Sequence, residues 1–381
     1  MKVLLVCNYV ADAQESMLRF AASLEAGLHK AGVNVESIRP EMVFGSLHPG
    51  ASGFGKWLGY LDKFLLFPPR LRQRSKRADI VHICDHSSAM HVRSIASRPH
   101  VVTCHDLLAV RMAAGEFPGR RTRTTGRLLQ RWILRGLRRA RRIACDSEAT
   151  KCDVMRLAGH DSQSASVIYV GQNHAYAPVL EIARAAEARR LGGIFDAGVF
   201  ARRQLPAEPY IIHVGGSQWY KNRAGVLAIH AELVTRLGSR APRLVMIGSP
   251  DPSHGSTPAL TEYRSGVSNE ELAALYSGAE LLLFPSLEEG FGWPIIEAQA
   301  CNCRVVTTRK APMTEVAGDA AFFIDDPTEI RSGADRVAAL LEQSAAERAR
   351  LIEAGTANAA RFTEEKMARK YLAIYRELAA S

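Results

Sequence analysis

The chain has 381 residues, of which 47% are hydrophobic and 23% charged, with a formal net charge of +10. That length accommodates two domains of about 150–200 residues, each with its own core, and the composition is globular rather than disordered or fibrous. No run approaches the roughly 18 apolar residues of a membrane span, and the seven cysteines, odd in number and without metal-ligand spacing, argue against a disulfide framework or a zinc module.

The first residues, KVLLVC (2–7), read as a buried strand, because Asn8 and Asp12 interrupt the apolar run too early for a secretory leader. Strand-like runs recur at 79–84, 100–104, 142–145 and 166–170, then at 210–216, 243–249, 279–286, 303–308 and 320–325. Helical patterns separate most of them, which predicts an α/β fold with parallel sheets and ligands at the carboxyl ends of the strands. Cys7, Cys84, Cys104 and Cys145 lie in or beside these runs, where cysteine acts as a small hydrophobe; a reduced, cytoplasmic protein is the expectation. Two adjacent glycines, an arginine-rich turn and Pro206 mark a connection, so the predicted division is 1–190, a linker 191–207, 208–362 and a last helix 363–381.

Charge is divided unevenly. Residues 1–206 carry 31 Lys+Arg against 17 Asp+Glu, and 207–381 carry 18 against 22. Segment 120–142 has ten arginines and no acid, with Arg127, Arg131, Arg135, Arg138 and Arg142 on one predicted helical face and Leu129, Trp132, Ile133 and Leu137 toward the other. A second basic run, 70–77, follows the amphipathic stretch 56–67. Two readings stand about even: the apolar faces pack on the first domain and leave arginine in water, or 120–142 and 56–77 meet an anionic membrane surface. Nucleic acid ranks below both, since no nucleic-acid fold or aromatic stacking pattern accompanies the charge.

The most informative stretch is EEGFGWPIIEAQAC (288–301), which follows the apolar run AELLLFPS. Gly290 and Gly292 permit close backbone approach to a ligand, and Pro294 suits the first turn of a helix. N–H groups of the loop around Phe291 and of the helix start would receive an anion. Glu289 and Glu297, eight positions apart, bracket that pocket and can accept from hydroxyls. Separately, each part has a plain structural explanation; together, in this order, they point to a sugar attached to a phosphate. HVGGSQWYKNRAGVL (213–227) supplies a second glycine turn, Gly215-Gly216, with Lys221 near the phosphate pocket and Asn222 as a helix cap. VVTCHD ends a strand at His105 and Asp106; on its own that pair is more often structural than catalytic. His82 and His86 read as structural.

These motifs resemble the Glu-x7-Glu signature of retaining GT-B glycosyltransferases, most closely glycosyltransferase family 4. The resemblance extends through VSNEELAALYSGAELLLFPSLEEGFGWPIIEAQACNCRVVTT and TEVAGDAAFFIDDP. It implies two Rossmann-like domains facing across a cleft, a last helix that crosses back to the first domain, and an acceptor handled by that domain. It further implies that Glu289 and His105 contact the transferred sugar, that N–H groups near Phe291 and Gly292 bind sugar or diphosphate, and that Glu297 binds the ribose. Lys221-Asn222 matches the family's basic-Asn pattern, whereas Tyr220 stands where a second basic residue is common and Arg223 offers itself as compensation. The expected activity is retaining transfer of a hexose from a nucleotide-diphosphate sugar to a saccharide or glycolipid hydroxyl, in envelope polysaccharide or glycoconjugate synthesis. The chain has no Asp-x-Asp motif, so no metal or other cofactor is expected. The rivals are a sugar-nucleotide-binding or membrane-adaptor protein without turnover, and a GT-B epimerase or phosphorylase.

Overall fold

A computed structural model describes residues 1–47, 53–190, 197–251 and 258–380. The chain forms two compact units, Met1–Asn173 with Thr363–Ser381, and His174–Phe362. The first holds a six-stranded sheet of β1 (Lys2–Val6), β2 (Asn34–Ile38), β3 (Ile80–Ile83), β4 (His100–Cys104), β5 (Arg142–Cys145) and β6 (Ala165–Val167), in the order β2-β1-β3-β4-β5-β6. The second holds β7 (Tyr210–Val214), β8 (Arg243–Ile247), β9 (Thr261–Arg264), β10 (Leu281–Phe284), β11 (Val305–Thr308) and β12 (Phe322–Ile324), in the order β12-β11-β10-β7-β8-β9. Every pairing in both sheets is parallel. Two Rossmann-like folds follow, as the alternation of strand and helix predicts.

The inner strands are buried on both faces, which is why they read as continuous apolar runs. Val81, Ile83, Val102 and Ile143 centre one core, and Ile211, Leu244, Leu283 and Val306 the other. Strand order reverses between β1 and β3 in the first sheet and between β7 and β10 in the second. Such switch points open a crevice beyond the strand ends, the usual place for a ligand in this kind of sheet.

The predicted division of the chain needs one correction. Residues 174–190 belong to the second unit, not the first. The helix Leu180–Arg190 is fastened there by the buried Glu280, whose two oxygens accept from Arg189 Nη2 at 3.1 Å and Arg190 Nε at 2.7 Å. Of the predicted linker, 191–196 lies outside the described residues, and Ala197–Arg202 is helical within the second unit. The last helix, Glu364–Ala380, packs within the first unit: Glu364 accepts from Lys30 at 2.7 Å, and Tyr371 and Tyr375 reach the sheet at Thr103 and His82.

The arginine-rich helix runs over Thr124–Leu137. It buries Ile133 and Leu137, while Leu128 and Trp132 stay 57% and 42% exposed. Arg138 stands at its C-cap and Arg142 lies beyond it on β5, where it pairs with Glu377 at 3.0 Å, so two of the five arginines predicted on one face fall outside the helix. Among the described residues no helix is long and apolar enough to cross a membrane.

Candidate functional site

In the second unit the loops after β7 and β10 meet at the switch point. Besides the ion pair described below, they are joined by hydrogen bonds that involve no acid or cation. Leu287 N–H donates to Tyr220 O at 2.8 Å, and Asn222 Nδ2 donates to Pro285 O at 2.9 Å and Pro327 O at 3.1 Å. Asn222 therefore occupies the N-cap position of the helix Arg223–Leu237 without capping it, at φ +52°, because its amide is used to staple loops. That corrects the cap expected of it. Gly215 sits where a Cβ would be 3.0 Å from His213 Nε2 and 3.4 Å from Lys221 Cβ, so a side chain there would press on both. Gly216 adjoins Gln218.

This frame sets Lys221 against Glu289, with Nζ 2.7 and 2.9 Å from the two carboxylate oxygens, both side chains being largely buried. Lys221 also lies 5.3 Å over the Phe284 ring. An ammonium has three donors and the carboxylate uses two, so one remains for a further anion. Glu288, next to this pair, is held by Lys310 instead. Gly292 is at φ +107°, a conformation that only glycine takes without strain, and it begins the helix Trp293–Ala300 with Pro294 in its first turn. Phe291 is buried edge-on to Phe362, and Gly290 lies between Glu289 and that turn. Glu297 is buried on the same helix and accepts from Tyr276 Oη at 3.2 Å.

Three residues around these loops, Arg223, His213 and Ser286, carry buried polar atoms with no hydrogen-bond partner. Arg223, 5% exposed, buries Nε and Nη2 unpaired, with its guanidinium 5.6 Å over the Tyr263 ring. A side chain built on Gly248, at φ +117°, would stand 3.7 Å from Arg223 Nη1 and 3.4 Å from Gly215 O, so this guanidinium borders the same crevice. His213 donates from Nδ1 to Leu283 O at 2.8 Å and leaves Nε2 buried and unpaired. Burial, with Arg223 and Lys221 nearby, holds His213 down to about 4, so it is neutral at pH 7. A buried cation without an acid is costly, and a site for an anion is the usual reason to keep one. Sequence inspection raised Arg223 only as a substitute for the residue at Tyr220, and missed His213 because its run reads as plain strand.

His105 lies in the first unit, away from these groups in the chain and in a different core. Its Nδ1 is 2.6 Å from Asp146 Oδ2 and its Nε2 is 2.9 Å from Cys84 O. Phe20 stands edge-on 4.7 Å away. Burial would lower its pKa, but the charges of Asp146 and Asp85 and the Cys84 carbonyl outweigh it and raise it to about 9. Both ring nitrogens are thus engaged inside the unit. Asp106 caps the following turn through Leu108 N–H at 2.9 Å. His82, bonded to Tyr375 and Thr103, is structural, and His86 pairs with Asp85.

The Glycosyl transferases group 1 family matches residues 201–358, and the Glycosyltransferase Family 4 family matches 17–176. O-antigen chain mannosyltransferase B of Escherichia coli is 30% identical over 154 residues, 38% of this chain and 39% of that protein. The matches to this and other curated relatives span about half of those proteins' length or less. Sucrose-phosphate synthase from Thermosynechococcus elongatus superposes over 100% of both chains with a TM-score of 0.74 at 18% identity. Anabaena HepE in complex with UDP and glucose does so over 98% of both, with a TM-score of 0.66 at 16% identity. One match lies on each unit and the two together cover most of the sequence: the chain belongs to the GT-B glycosyltransferases of family 4 type.

Proposed function

We propose that this protein is a hexosyltransferase that uses a nucleotide-diphosphate sugar. The observation that carries it is the meeting of Lys221, Glu289 and the unpaired Arg223 at the second sheet's switch point, with Glu297 buried on the helix that the Glu289 loop begins. Lys221 holds the diphosphate with its remaining donor, and the buried Arg223 supplies the second positive charge that the leaving group needs. Glu289 accepts from hydroxyls of the sugar, Glu297 from the ribose, and N–H groups of the Gly290–Gly292 turn donate to sugar or phosphate. With two fixed cations present, transfer proceeds without a divalent metal or other cofactor.

Configuration at the transferred carbon is retained, in keeping with the Glu-x7-Glu resemblance. The departing phosphate oxygen takes the acceptor's proton as the new bond to the acceptor oxygen forms and the bond to phosphate breaks. The similarity to an O-antigen mannosyltransferase favours a saccharide or glycolipid acceptor in envelope polysaccharide synthesis. In this scheme His105, held by Asp146 and the Cys84 carbonyl, orients the first unit's strand ends. The protein works at the cytoplasmic face of a membrane, to which 120–142 and 56–77 attach weakly through their arginines.

Calorimetric titration with GDP, UDP and ADP in EDTA tests the donor site. One nucleotide is expected to bind, about 10-fold or more weakly in Lys221→Ala. Undiminished affinity in both Lys221→Ala and Arg223→Met would overturn the assignment.

A further inference from the structure

The basic run 70–77 has two sides, and the first unit neutralises only one of them. Residues two apart on a helix stand roughly 200° from each other, so Arg70 and Arg74 share one side while Arg72 and Lys76 share the other. Arg70 pairs with Glu41, and Arg74 pairs with Glu36 at 2.9 Å. Arg72 and Lys76 meet no carboxylate among the described residues. Acids on and just after β2 are thus spent on one face, and the other is left bare.

On the bare face Arg72 and Lys76 border a pocket of about 350 Å³, together with Arg93, Ser94, Ser97 and Arg98. Four cations line it and no acid does. Its walls are fixed from behind. The helices Phe67–Ser75 and Val92–Ile95 are anchored in the first core, one by Leu71 and the other by Val92 and Ile95. Ser75, buried at the back, donates to Arg72 O at 3.0 Å. Arg98 is held by a bond from Nη2 to Ala78 O, the only donor that the four cations spend on a described protein group. The hydroxyls of Ser94 and Ser97 form no hydrogen bond among the described residues either. The lining segments run into β3 and β4, so the pocket lies at the amino ends of those strands. His105 and Asp146 lie at the opposite, carboxyl ends. Like charges gathered around one pocket repel one another and concentrate anions from solution.

We propose that this pocket binds a phosphate monoester. The guanidinium forks of Arg72, Arg93 and Arg98 and the Lys76 ammonium take its oxygens, and Ser94 and Ser97 donate their hydroxyls. A terminal phosphate suits this set because it brings three strong acceptor oxygens and nearly two negative charges. The volume leaves room for the group that carries it. A free phosphate ester and a lipid headgroup with a terminal phosphate offer the same chemistry. The site belongs to the first unit alone and does not depend on the transferase reading.

Two arms with the full chain test it and separate the sources. One titrates glycerol phosphate by calorimetry. The other sediments phosphatidylcholine vesicles that carry either phosphatidic acid, a monoester, or phosphatidylglycerol, a diester, at matched surface charge. Glycerol phosphate is expected to bind, and phosphatidic acid vesicles to be preferred about 10-fold over phosphatidylglycerol ones. The double variant Arg72→Gln, Arg93→Gln, at two exposed positions, weakens glycerol phosphate about 10-fold and removes the vesicle preference. The double variant Arg70→Gln, Arg74→Gln removes the same charge from the side that Glu41 and Glu36 neutralise, and keeps both effects. A vesicle preference without glycerol phosphate binding assigns the lipid headgroup, and the reverse assigns a free ester. Neither effect in the wild type, or equal losses in the two double variants, would overturn the site.

Discussion

The two sheets end in polar clusters of opposite design. Beyond β7 and β10, Lys221, Glu289 and Arg223 hang on loops that other bonds hold together, Leu287 N–H to Tyr220 O and Asn222 to two prolyl carbonyls. Beyond β4 and β5, His105, Asp146 and the Cys84 carbonyl are themselves the bonds that hold the strand ends. The first arrangement lets charged groups change partner while the frame stays. The second resists change, because removing one member leaves the others buried and unpaired. Substitutions in the two clusters should therefore fail differently, one in turnover and the other in stability.

The largest effect that would sharpen this contrast is on donor use. Glu289→Ala and Lys221→Ala should each lower the rate with a nucleotide sugar by about 10²–10³, the usual cost of removing a preorganised polar group at a transferring centre, with circular dichroism little changed. A variant of either kind that keeps near-normal kinetics would remove that residue from the site.

Next is a pH effect confined to the first unit. His105 is raised from about 6.5 unfolded to about 9 folded. Its contribution is therefore fully present below about pH 6.5 and is lost as pH rises through about 9. Thermal unfolding between pH 6.5 and 9 should show the fall, and His105→Gln should flatten it. His82 works in the opposite direction: burial, with the His105 charge nearby, holds it down to about 3, so its share is lost as pH falls below about 6.5. A midpoint that rises between pH 6.5 and 9 would break the account of the His105–Asp146 pair.

Smaller, and opposed in sign for its two readouts, is Arg223→Met. Replacing a buried guanidinium with two unpaired nitrogens by an apolar side chain should stabilise the fold by about 1–2 kcal/mol while weakening nucleotide diphosphate binding about 10-fold. Lower stability with unchanged binding would mean that Arg223 is a packing residue. Smallest is adsorption to anionic vesicles through the basic helix, a few-fold and lost toward 0.5 M salt as charges are screened; equal binding to neutral vesicles would contradict its electrostatic basis.

Much of this was legible in the sequence. The ten predicted strands are inner strands or carry enough apolar residues to stand out, and the Glu-x7-Glu segment holds its own turn and helix start. The two strands that escaped, β2 and β9, are sheet edges: NVESI and TEYR are half-buried, so no apolar run advertises them. The domain boundary was missed because Arg189 and Arg190 look like solvated charge until Glu280, some ninety residues later, is found buried between them. Arg223 shares that difficulty, since an unpaired atom is a property of surroundings rather than of residue type. His105 shows the converse, where a motif legible at once turns out to have both ring nitrogens engaged.

The most direct test of the central claim, that the second unit turns over a nucleotide sugar, is release of nucleotide from a panel of UDP-, GDP- and ADP-sugars in EDTA, with octyl mannoside as acceptor, for wild type and Glu289→Ala. The account predicts release from one donor class by the wild type and its loss in the variant. Release that requires added divalent metal, or that persists undiminished in Glu289→Ala, would contradict it.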